Sequence, residues 1–71
     1  MENFLEFVSG VMEVEPSALS EKTRYKEFEK WDSLMHMRLI MAVEEEYKVE
    51  IPIDEVPDIK TLKDLFRYTQ G

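Results

Sequence analysis

The sequence predicts an all-α fold, a small four-helix bundle with three longer helices, one short third helix and a long loop between the first two. Three observations predict it. The stretch from Lys30 to Tyr47 runs on as an unbroken helix former behind a polar pair, Asp32 and Ser33. Near the N-terminus, Phe4, Phe7, Val8 and Val11 recur at helical spacing. Thr61 precedes Asp64 by three positions, the pattern of a capping box that opens a last helix.

Taken in order, the first helix is expected from Glu2 to about Met12, with its Phe side chains in the core. Gly10 costs this helix about 1 kcal/mol relative to Ala, so it is expected to fray or end early. From Glu13 to Trp31 runs a long connection with Pro16 and scattered apolar anchors at Val14, Leu19, Tyr25 and Phe28. Lys22, Arg24, Lys26 and Lys30 make it the only basic region, but Glu21, Glu27 and Glu29 are interleaved, which favours a solvated loop over a binding patch.

In the second helix Leu39, Ile40, Val43 and Tyr47 form one stripe on a 3.6-residue wheel, the pattern of a core-facing side, and His36 joins it as a packing residue. Leu34, Met37 and Met41 form a second stripe below Ser33. It either packs under a loop or neighbouring helix, or offers a partner an apolar strip made adaptable by methionine. Lys48 suits the helix C-terminus, and Val49 to Ile53 break the pattern around Pro52. A short third helix fits Asp54 to about Val56, ended by Pro57, and the last helix runs around Leu62 to Tyr68, with Leu62, Leu65 and Phe66 facing the core.

Seventy-one residues make one domain, 1–71, whose core typically supplies about 3–5 kcal/mol of net stability, with no room for a second, catalytic domain. Nine basic and sixteen acidic residues give a net charge of −7, which argues against nucleic acid as a partner. A negative surface steers the chain toward proteins with basic docking patches, or it confers solubility alone. The absence of cysteine excludes disulfides and thiolate metal sites and gives no sign of an oxidising compartment. With no leader-like segment and no run of about eighteen apolar residues, a cytoplasmic chain without a membrane partner is expected. Glu44, Glu45 and Glu46 point three ways on the wheel, and Asp54, Glu55 and Asp58 lack the glycine and spacing of a calcium loop, so no metal site is expected.

Asp32 and Ser33 stand where the second helix starts, and either side-chain oxygen can cap it. A three-residue Asp-Ser-Leu motif carries little information alone. Its setting carries more. The N-terminal helix, the long loop with Pro16, Leu19 and Phe28, Asp32-Ser33-Leu34 opening the second helix, Glu44 to Tyr47 near its end, Ile51-Pro52 and the last helix together resemble, over nearly the whole length, an acyl carrier protein. That resemblance implies a four-helix carrier of acyl or aminoacyl groups, held as thioesters on a 4'-phosphopantetheine arm from coenzyme A, in fatty-acid, polyketide or other specialised biosynthesis. Ser33 matches the serine that bears the arm, and Asp32 with Leu34 match the positions read by the phosphopantetheinyl transferase. A phosphodiester there would gain about 0.3–1 kcal/mol from the positive end of the helix. The cofactor would supply the sulfur that this cysteine-free chain lacks.

The resemblance also implies partners: the transferase, an acyl-loading ligase or transferase, and synthase enzymes. Their contacts would be Met37, Arg38, Met41, Glu44, Glu45 and Val56. Ile40, Val43, Tyr47, Ile51, Ile59 and Leu65 would line an acyl pocket between the second and third helices, although their bulk points to a filled core. A carrier of this kind is a substrate for other enzymes, is not one itself, and is monomeric by default. Met1 and the lack of Gly/Ser/Pro-rich tails fit a free-standing protein, as they would a domain cut cleanly from a megasynthase.

Two positions depart from the family. Lys30, followed by Trp31, replaces a glycine common two residues before the Asp, and Trp31 is expected to pack on the loop and fix the approach to Ser33. Arg38 replaces a commonly acidic residue and would repel a partner built around an arginine, which points away from the ordinary fatty-acid synthase and toward a dedicated pathway. Against the carrier stands a protein-interaction module of the same fold in which Ser33 is only a cap. A hydrolase using Ser33 lacks a base and an oxyanion site.

Overall fold

The computed structural model describes residues 1–70. Helix α1 spans Glu2–Met12, α2 spans Ser33–Tyr47 and α3 spans Leu62–Arg67. A 3₁₀ helix at Ile53–Asp58 comes between α2 and α3, and 3₁₀ turns occupy Pro16–Ala18 and Tyr68–Gln70. The architecture is the all-α one that the periodicity predicts.

Each helix contributes one apolar face to a shared core. Phe4, Val8 and Met12 come from α1, Leu39, Ile40 and Val43 from α2, and Leu62 and Leu65 from α3, while Leu19, Trp31, Ile51 and Ile59 fill in from the connections. The spacing of four in α1 puts its buried residues on one line. Aromatic contacts join the three helices, with the Phe4 ring 5.1 Å from Phe66 and 6.0 Å from Tyr47. Phe7 meets Tyr47 edge-on at 5.7 Å.

Gly10 does not end α1 early. The helix continues to Met12, which is buried, and stops at Glu13 in the left-handed conformation, φ 59°. Packing beyond the glycine outweighs its propensity. The third helix is also longer than Asp54 to Val56, and Pro57 lies inside it. Its bonds explain this: the Glu55 N–H donates to Pro52 O and the Ile59 N–H to Val56 O, so Pro57 sits second in a turn where no N–H is needed.

The long first loop is held by its buried Leu19 and by Val14, Tyr25 and Phe28, which pack against the core. It is tied by backbone bonds to the start of α3 as well. Tyr25 N–H donates to Lys60 O at 2.8 Å, Leu62 N–H to Thr23 O at 3.1 Å and Lys63 N–H to Glu21 O at 3.0 Å. The capping box forms as predicted, with Asp64 N–H donating to Thr61 Oγ1 and Thr61 N–H to Asp64 Oδ2. Among the described residues, no helix is long and apolar enough to cross a membrane.

Candidate functional site

The start of α2 separates the two residues that the sequence leaves equivalent. Asp32 is the N-cap, in extended conformation, and its Oδ1 accepts the Met35 N–H at 2.9 Å. Ser33 is the first residue inside the helix. Its hydroxyl makes no cap bond, is exposed, and shares a hydrogen bond of 3.2 Å with the Tyr25 hydroxyl. The cap lifts Ser33 to the rim of the bundle, and the N–H groups of Ser33 and Leu34 have no intrahelical acceptor.

Behind this rim lies a buried aromatic wall. Trp31 is fully buried, and its Nε1–H donates to His36 Nδ1 at 2.9 Å. Indole nitrogen only donates, so the His36 ring proton sits on Nε2, facing Val56 O at 3.2 Å. Tyr25 stacks on the His36 ring at 4.2 Å between centroids, with an interplanar angle of 21°. His36 is thus a core packing residue, as its position on the wheel predicts. Trp31 is a core residue too, and it packs on the loop as expected, its ring 5.8 Å from that of Tyr25.

The second stripe of α2 is open. Leu34, Met37 and Met41 are 66%, 43% and 64% exposed, so the stripe is not buried under a loop or a neighbouring helix. Ile53, which the periodicity does not single out, adds a further exposed apolar side chain in the 3₁₀ helix. Arg38 and Glu45 are exposed as well, while Val56 is half-buried and gives its carbonyl to His36. An open cleft of about 490 Å³ beside Asp32 and Leu34 is rimmed by Lys30 and Arg38.

Glu44 has a task within the fold. It is half-buried, and its Oε2 accepts the Ile51 N–H at 2.9 Å, fixing the chain where it turns back after Lys48, φ 55°. Of the acyl-pocket residues, Ile40, Val43, Ile51, Ile59 and Leu65 are buried in the core and Tyr47 packs against it. They are brought together, as packed neighbours. Burial, and secondarily the charge of Glu46, pushes the Tyr47 hydroxyl up from its ordinary value.

The comparisons with known proteins fit this geometry. A family model described as "Phosphopantetheine attachment site" matches residues 2–69. The chain belongs to the acyl carrier protein family. It is 38% identical over 64 residues to the acyl carrier protein of Rickettsia massiliae (strain Mtu5), covering 90% of this chain and 74% of that one. The acyl carrier protein of Rickettsia prowazekii (strain Madrid E) is 36% identical over the same coverage. The protein is therefore a carrier, and its cofactor is 4'-phosphopantetheine. The group fits the rim of α2, where one exposed hydroxyl stands beside unpaired backbone donors.

Proposed function

We propose that Ser33 is the attachment point of the arm and that the chain works as one monomeric carrier domain in the cytoplasm, a substrate for other enzymes rather than an enzyme. The observation that carries this reading is the division of labour at α2: Asp32 alone satisfies the cap, and the Ser33 hydroxyl is left exposed. A serine kept only as a cap would have its oxygen on a backbone N–H. This one faces solvent and a tyrosine.

When bound, the arm supplies a thiol that carries the cargo as a thioester. The chain's own residues set where that happens. Ser33 offers the oxygen to be esterified, and the N–H groups of the first turn stabilise an anion there. Asp32 and Leu34 flank it as recognition elements for a phosphopantetheinyl transferase. Leu34, Met37 and Met41, bordered by Arg38, Glu45 and the edge of Val56, form the face that such a transferase, an acyl-loading enzyme and synthases would share. Apolar area at the centre with charge at its edge is the usual composition of a docking patch.

The cargo is acyl or aminoacyl, within fatty-acid, polyketide or other specialised biosynthesis. Arg38 supports a client that does not place an arginine at this contact, since like charges facing each other there are repulsive. Incubation with coenzyme A and a broad-specificity phosphopantetheinyl transferase tests the assignment. The wild type is expected to gain one phosphopantetheinyl group in intact mass, and Ser33→Ala none. A folded wild type that gains nothing with several unrelated transferases would overturn it.

A further inference from the structure

We infer that Tyr25 is a positioning residue for the modified Ser33: its hydroxyl donates to the phosphodiester that esterification places on Ser33 Oγ and holds the root of the arm against the first loop. This rests on Ser33 as the attachment point. The two hydroxyls lie 3.2 Å apart across the loop, and either can donate in the unmodified chain.

Ser33 does not set the place of the Tyr25 ring. The ring stacks on buried His36, lies 5.8 Å from the Trp31 ring, and has the Lys26 ammonium 5.6 Å from its centroid. Its backbone N–H is fixed to Lys60 O at 2.8 Å. The hydroxyl is thus aimed by the core and the loop, and it will stay in place when its partner changes.

The chemistry of the transfer then decides which group donates. A bond forms from Ser33 Oγ to the phosphorus of coenzyme A's pantetheine phosphate, and the bond from that phosphorus to the 3',5'-bisphosphoadenosine leaving group breaks. The Oγ proton goes to a base on the transferase. Ser33 no longer has an O–H, so the contact persists only with Tyr25 as donor. The unesterified phosphate oxygens share a full negative charge and are better acceptors than the ester oxygen. A hydrogen bond to an ionised acceptor is roughly twice as strong as a neutral one. Modification therefore strengthens a contact that already exists.

Tyr25→Phe keeps the ring and its stacking and removes only the hydroxyl. Wild type and Tyr25→Phe are each loaded from coenzyme A by the transferase, the single mass gain is confirmed, and the ³¹P resonance of the phosphodiester is recorded alongside the ring resonances of His36. The expected result is a displaced and narrower ³¹P line in Tyr25→Phe, with His36 unmoved. Identical ³¹P lines in two fully loaded proteins would overturn the role of Tyr25 and leave the carrier reading standing. A ³¹P change accompanied by displaced His36 resonances would also overturn it, because the ring and not the hydroxyl would then be responsible. If the wild type takes up no group, the attachment point itself is wrong.

Discussion

The indole N–H of Trp31 donates to Nδ1 of His36 at 2.9 Å, both residues being buried, so the loop that ends at Trp31 is locked onto the first turns of α2. The bond spans the four residues from Asp32 to Met35. It fixes Asp32 and Ser33 between a buried tryptophan and a buried histidine, and gives the exposed serine a rigid base.

Trp31→Phe is predicted to be strongly destabilising. The smaller ring leaves a cavity, and His36 Nδ1 loses its donor, a penalty of about 1–3 kcal/mol before the packing loss is added. Urea unfolding followed by far-UV circular dichroism should show a lower midpoint with little change in slope. For a chain of this size such a loss is a large share of its stability.

The two roles of Asp32 separate by substitution. Asp32→Ala removes the cap and is predicted to cost about 1 kcal/mol, whereas Asp32→Asn keeps a capping oxygen and should lie within a few tenths of wild type. If the transferase reads the charge, Asp32→Asn will nonetheless be modified roughly tenfold more slowly or worse, as expected for one lost contact to a charged group, about 1.5–3 kcal/mol. Thermal unfolding and the initial rate of phosphopantetheinylation, measured on the same preparations, check both statements.

Gly10→Ala should stabilise the protein. Gly10 is exposed inside α1, and an added Cβ would meet nothing within 4 Å. The gain is predicted at about 0.5–1 kcal/mol, read as a higher urea midpoint.

The Tyr68 hydroxyl donates to Glu55 Oε1 and ties the last turn to the 3₁₀ helix. That bond to a carboxylate, with some burial and the charges of Glu55, Asp58 and Asp64, pushes its pKa up from 10.0 to about 12. The folded state therefore holds this proton more tightly than the unfolded chain. Its contribution is complete below pH 10 and is lost as pH rises from 10 to about 12. Tyr68→Phe is predicted to unfold more easily than wild type at pH 9, and the difference should shrink across that interval. Melting temperatures of the pair at several pH values check this, and the effect is modest because the contact is exposed.

Much of the fold is legible because periodicity reports burial. Leu39, Ile40 and Val43 are buried, and the open stripe of Leu34, Met37 and Met41 is the one that the core leaves over. Which of Asp32 and Ser33 caps α2 is not legible from residue type, since both types cap helices and only backbone conformation decides between them. The triad of Tyr25, Trp31 and His36 is equally invisible, because it depends on a loop folding back onto α2 and on the ring orientations. Backbone bonds from the loop to Lys60 and Leu62 carry no side-chain signature at all. Glu44 reads as a surface charge on the wheel, and only the reversal at Lys48 brings the Ile51 N–H within its reach.

Peptide mapping by mass spectrometry of the protein loaded from coenzyme A tests the central claim most directly, because serines also occur at positions 9, 17 and 20. A single phosphopantetheinyl group is expected on the peptide that contains Asp32-Ser33-Leu34, with fragment ions placing it on Ser33. A group on any other serine, or none on a folded protein, would contradict it.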